Sequence, residues 1–196
     1  LLGIVTVDDI IDVIREEHAE DMLLMAGVAE DFALQGRSVW RLARDRAGWL
    51  LATAFGGIVA GRITHWHGET IPVEVLAGLI PVVMGMGGNV GIQSTTIAVR
   101  GIATGHVQIS GALSFVSTEA RVAALLGVMY GILLGVYGLV TGWPDPFVGI
   151  TVGSSVFLAI CLGGILGAGL PVLLSRAGVD PAIATGPFVT TSVDII

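Results

Sequence analysis

The sequence predicts an all-α membrane protein: a five-span helical bundle, its fifth span truncated, preceded by a cytoplasmic helical arm. Three observations predict it. Hydrophobic residues make up 54% of the 196 residues and charged residues only 13%, against about 25% charged in a soluble domain. The mean hydropathy is +0.88, more apolar surface than one globular core of this length would hide from water. Long uncharged runs then alternate with short charged or proline-rich breaks. The 29 glycines point the same way, because small residues let membrane helices approach closely.

The first residues, Leu1–Val7, form a short β-branched run expected to be a strand ending a soluble domain. Asp8 stands where an N-cap is expected, ahead of Ile10, Ile11, Val13 and Ile14. That helix continues through Glu16, Glu17, Glu20 and Asp21, and a second amphipathic stretch runs from about Glu30 to Asp45. Neither is apolar and long enough to span a bilayer. Span one is expected at about 48–66, span two at Val75–Val99, span three at Val122–Pro144 and span four at Pro146–Ser175. A fifth begins at Pro181 and reaches Ile196; at 1.5 Å per residue it covers only ~24 Å of a ~30 Å core. Opening on Leu1 rather than Met, the sequence reads as a piece of a longer protein.

Charge sets the orientation and excludes some functions. There is no lysine, and seven arginines (37, 41, 44, 46, 100, 121 and 176) fall on the side of the N-terminal arm, with Arg62 alone opposite. The positive-inside rule therefore predicts a multi-pass cell-membrane protein with a cytoplasmic arm. Nine of the sixteen acids lie between Asp8 and Asp31, which argues against nucleic acid and leaves cations or solvation for them to serve. Cys161, the only cysteine, excludes a disulfide framework and is expected as a core thiol. His65 and His67 flank Trp66, but two histidines without a third ligand do not make a zinc site.

Three features bear chemistry. Asp194, ~20 Å along a helix entered at Pro181, lies beyond the bilayer centre, where a carboxylate costs ~2.5–3.5 kcal/mol or more and usually faces an ion path. The alternative is that the helix tilts or ends early, leaving Asp194 in the far headgroup layer. In Pro81–Thr96, glycines 85, 87, 88 and 91 make a poor helix interior. The stretch either unwinds to present carbonyls to a cavity or packs tightly through its small residues, and the residues leave both open. Asn89, Gln93, Ser94 and Thr95 add oxygens suited to a hydrated hard cation. Asp180, at the mouth of span five, either attracts cations or caps the helix.

The GGNxGxQ segment (Gly87 to Gln93), the DPAxAxGPFxTTxxD segment (Asp180 to Asp194) and the five spans resemble the membrane domain of the MgtE magnesium channels. Related eukaryotic magnesium carriers share similar motifs. The run Gly3–Glu17 resembles the end of the second CBS domain that precedes this membrane domain. The resemblance divides the chain into the end of a CBS domain (1–17), a connecting or plug helix and linker (18–46) and a transmembrane pore domain (47–196). It implies a homodimer in the lipid bilayer, with spans two and five of both protomers lining a Mg²⁺ pore. Asp194 matches the pore carboxylate; Gly87, Gly88, Asn89, Gln93, Thr190 and Thr191 match pore-lining positions; Glu20, Asp21 and Glu119 match acids that bind regulatory Mg²⁺. The implied function is a Mg²⁺-selective channel moving magnesium into the cytoplasm, gated by intracellular Mg²⁺ and not an enzyme. Few acids follow Asp31 before span one, a departure from the full set of regulatory sites. The N-terminal domain and nearly all of the CBS pair lie outside the sequence, so complete regulation is not expected in it.

The residue chemistry agrees, since Mg²⁺ is held by one or two carboxylates plus retained water. Apart from Met84 and Met86, the motifs offer a softer metal nothing. The main rival is an H⁺- or Na⁺-coupled secondary transporter of divalent cations, because broken helices and a midplane carboxylate serve carriers too. An intramembrane aspartyl protease needs facing carboxylates, and Asp180 and Asp194, on one helix, would stand ~21 Å apart.

Overall fold

The computed structural model describes residues 5–25, 39–67, 73–107, 111–140, 146–182 and 186–195. Six α-helices follow in order: α1 Val7–Met25, α2 Val39–His67, α3 Val73–Ala103, α4 Ala112–Val140, α5 Pro146–Arg176 and α6 Gly186–Ile195. No strand occurs among the described residues. By length and composition α4, and α5 from Phe147, suffice to cross a membrane. The 29 residues of α2 and 31 of α3 extend ~44 and ~46 Å.

Several boundaries differ from expectation. Helix α1 starts before Asp8: Thr6 is the cap, its Oγ1 accepting from Asp9 N at 3.4 Å while Asp9 Oδ2 accepts from Thr6 N at 2.8 Å. This reciprocal pair is a capping box, which leaves Asp8 in the first turn. The two hydrogen bonds from Thr6, side chain and then backbone, hold the Asp9 carboxyl below its ordinary value of 3.8. Val5 and Thr6 are not in a strand, and Leu1–Ile4 lie outside the described residues. From Val39 onward the second amphipathic stretch continues into span one as one helix, α2; residues 26–38 lie outside the description. Helix α4 begins ten residues ahead of Val122, since Ala112–Arg121 contains no glycine or proline to stop it. Helix α5 fits span four to within a residue.

Helix α5 sits between α3 and α4, and its inner face forms the core. Val152, Val156 and Ile160 are buried with Ala123 of α4, and Leu79, Val83, Met86 and Val90 of α3 pack against them. Glycine lets the axes approach. A Cβ on Gly131 would lie 2.6 Å from the Gly153 carbonyl oxygen, and one on Gly135 would lie 3.1 Å from that of Gly149. On the other side, a Cβ on Gly163 would strike the Gly87 carbonyl oxygen, and one on Gly167 that of Gly91. Both seams use glycines four apart, the spacing that brings two helix backbones into contact in a membrane.

This explains why α3 does not unwind at its glycines. Gly87 and Gly91 form the surface on which α5 is seated, so tight packing, one of the two open readings, is the one realised. Gly178, at φ 74°, ends α5 with Val179 N bonded to Leu174 O at 3.0 Å and Gly178 N to Ser175 O at 3.2 Å. That is a Schellman turn. Asp180 does not cap α6: its Oδ1 accepts from Ala182 N at 2.8 Å in the turn before it. Asp180 and Asp194 therefore do not share a helix, and a separation measured along one helix does not apply to them.

Candidate ion-conduction site

The two membrane motifs meet directly. Helix α6 packs on α2, α3 and α5, and two of its valines sit on the glycines of α3. A Cβ on Gly87 would lie 2.7 Å from Val193 Cγ1, and one on Gly91 2.6 Å from Val189 Cγ1. Val189 and Val193 are four apart and share a face; both are buried. Asp194, the next residue, is half-buried. Thr190 and Thr191 lie one turn earlier on α6, each partly buried. Among the described residues Thr191 Oγ1 is the buried side-chain oxygen with no hydrogen-bond partner.

The polar residues of α3 divide by face. Gly87, Gly88, Ser94 and Thr95 are buried, whereas Asn89, Gln93 and Thr96 are exposed. Spacings of four and three put the exposed trio in one stripe along the helix. The buried pair ties α3 to its neighbours. Ser94 Oγ donates to Glu119 Oε2 at 2.8 Å, joining α3 to α4. Thr95 Oγ1 donates to the Gly167 carbonyl oxygen at 2.9 Å, joining α3 to α5. The second bond has a cause in the sequence. Pro171 has no N–H, so the carbonyl four residues earlier, Gly167, lacks its helical donor. The Thr95 hydroxyl supplies one, which apolar surroundings require.

Sequence reading picked out Glu119 and the glycine motif separately; the structure brings them together through Ser94. It places Glu20 and Asp21 on the last turns of α1. Among the described residues no three His, Cys, Asp or Glu side chains cluster to hold a metal ion. Three features were missed: the Pro171–Gly167–Thr95 relay, the facing glycines of α5, and Gly56 of α2, which touches Thr191. A signal existed for the first two, in a proline within span four and glycines spaced by four; Gly56 carries none.

Residues 80–196 match the family model of MgtE, described as a divalent cation transporter. The matched segment runs from α3 to α6 and contains both motifs. The chain belongs to the MgtE family. Its MgtE relatives align over the whole chain: 33% identical in Bacillus subtilis, 34% in Enterococcus faecalis and 34% in Thermus thermophilus. Each is named magnesium transporter MgtE, and the chain spans 43% of the length of each. The MgtE match begins at Ile80, so α1, α2 and the first turns of α3 lie outside the family model although the relatives cover them.

Proposed function

We propose that the full-length protein carrying this chain is a Mg²⁺-selective channel that moves magnesium into the cytoplasm and closes as intracellular Mg²⁺ rises. One observation carries the reading: the motif ending in Asp194 is seated on the glycine motif of α3, Val193 at Gly87 and Val189 at Gly91. The stripe of Asn89, Gln93 and Thr96 lies on the opposite face of α3, ~200° about the axis from Gly87 and Gly91, and is uncovered in a single chain. Polar groups inside a membrane avoid lipid and face a protein partner or a water-filled path. A homodimer with α3 and α6 of both protomers about a two-fold axis meets both needs. It sets two Asp194 carboxylates opposite one hydrated Mg²⁺, an ion that keeps most of its water and needs charge more than a rigid cage. Helix α6 begins at Gly186, five residues after the entry expected from sequence. Asp194 then lies ~12 Å along it, near the middle of a ~30 Å core rather than beyond it.

In this reading the chain has five spans, a cytoplasmic arm and the divisions 1–17, 18–46 and 47–196. A cysteine at Glu69, between the first two spans, is expected to react with an impermeant thiol reagent from outside intact cells. Labelling only after lysis reverses the orientation.

The gate lies in the acids of α1. Glu20 and Asp21 lie near the end of a helix that also carries Asp8, Asp9, Asp12, Glu16 and Glu17, with Arg15 its only arginine. Bridging Mg²⁺ relieves that repulsion and draws the arm to the membrane domain, where Glu119 is held to α3 by Ser94. The test is Mg²⁺ flux through the full-length protein in liposomes, wild type against Glu20→Ala/Asp21→Ala. Wild-type flux is expected to need no H⁺ or Na⁺ gradient and to fall as cytoplasmic-side Mg²⁺ rises. The double variant is expected to stay open to higher Mg²⁺. Flux that saturates and follows a coupling ion makes the protein a carrier instead, and unchanged inhibition removes Glu20 and Asp21 from the gate.

A further inference from the structure

Gly56 lies in α2, outside both motifs and outside the segment that matches the family model. It is nevertheless where α2 meets the helix that carries Asp194. A Cβ built on Gly56 would collide with Thr191 Cγ2 and lie 3.2 Å from Thr191 Cβ and 3.4 Å from Thr191 Oγ1. The severe collision is with the Cγ2 methyl, while the Cβ at 3.2 Å needs to give by only a few tenths of an ångström. The neighbouring Gly57 and Gly61 have nothing within 4 Å of a Cβ. Closeness on α2 is therefore a property of Gly56 and not of glycine in general.

The geometry of α6 gives this contact a consequence. Val189 and Val193 rest on Gly91 and Gly87 of α3, and Thr191 lies two residues from each, turned ~200° about the helix axis. Helix α6 is thus gripped from opposite sides, by α3 through its valines and by α2 through Thr191. Each grip closes on a glycine, and on the α3 side a second row of glycine contacts to α5 blocks retreat. We propose that Gly56 is a positioning residue for conduction: it sets the width of the slot that holds α6, and through it the place of the Asp194 carboxylate. The inference rests on the reading of Asp194 as the cation site.

The test uses the full-length protein in liposomes, with Gly56→Ala, Thr191→Ser, the double variant and Gly57→Ala, at matched thermal stability. Serine lacks the Cγ2 methyl that an alanine at 56 would strike, so it makes room for the added carbon. Gly56→Ala is expected to lower Mg²⁺ uptake roughly tenfold and to change the ratio of Mg²⁺ to Ca²⁺ uptake, while the double variant returns to within about twofold of Thr191→Ser, as residues in contact couple. Gly57→Ala is expected to behave as wild type. If Gly56→Ala fails to fold, recovery of folding and uptake in the double variant supports the proposal, and its absence overturns it. Wild-type uptake in Gly56→Ala, a deficit that Thr191→Ser leaves in place, or lower uptake with an unchanged ion ratio each overturns it too. Asp194→Asn measured alongside separates the two ideas: wild-type uptake there removes the reading of Asp194, whatever the Gly56 pair does.

Discussion

Gly167→Ala is expected to cost the protein at least ~3 kcal/mol of stability, the upper end for overpacking a core, while Gly169→Ala on the same helix costs nothing. The difference follows from what the new methyl meets. At position 167 it falls on the backbone carbonyl oxygen of Gly91, with the Gly91 carbonyl carbon and Cα each 3.0 Å away. No rotamer change relieves a backbone contact, so α3 and α5 must separate. Separation also stretches the Thr95 hydrogen bond to the Gly167 carbonyl, now 2.9 Å, and Pro171 leaves that carbonyl no helical donor to return to. At position 169 nothing lies within 4 Å, and alanine is the better helix former by up to ~1 kcal/mol. Thermal unfolding of the two variants beside wild type is the check. Equal midpoints for both would mean that the α3–α5 seam is looser than the structure has it.

The same seam explains which parts of the fold were legible in the sequence. Long uncharged runs bounded by arginine, proline and glycine give helix number and order, because a lipid-facing helix must be apolar along its whole length. They give ends poorly. Arg121 and Glu119 mark where α4 leaves the apolar region, yet the helix continues to Ala112, since polar residues do not end a helix. The glycines around Gly87 were ambiguous for a related reason. Glycine weakens an isolated helix, but here the cost is offset by the close contact it permits with the Gly163 backbone and the Val193 side chain, and that contact depends on residues over seventy positions away. Asp8 misled because any acid before an apolar run can cap, whereas the realised cap, Thr6, is paired with Asp9 by hydrogen bonds.

For the candidate site, residue types were legible and partners were not. Asp194, Asn89 and Gln93 stand out as polar groups in apolar helices. Ser94 and Thr95 read as further cation oxygens, but both are buried and occupied, by Glu119 and by Gly167. Face decides between the two roles. Asn89, Gln93 and Thr96 share one exposed stripe, whereas Ser94 and Thr95 lie on the buried side of the same helix.

Asp194→Asn is expected to keep the fold and to lower Mg²⁺ uptake at least tenfold. Asparagine has nearly the same shape and leaves Val193 on Gly87, so the seat of α6 on α3 is preserved; what changes is charge. A divalent ion ~5 Å from a carboxylate, with a water between them, gains on the order of 7 kcal/mol at an effective dielectric of ~20. Dehydration of both groups offsets much of this, but retaining even a fifth, ~1.4 kcal/mol, is a tenfold change in occupancy. Asp194→Glu keeps the charge and moves it by a methylene, so it is expected to conduct at an intermediate level. The decisive measurement is Mg²⁺ uptake by full-length protein of matched expression and thermal stability in liposomes. Wild-type uptake by Asp194→Asn would make the carboxylate structural and turn the search for the cation site to the exposed stripe of α3, starting at Asn89.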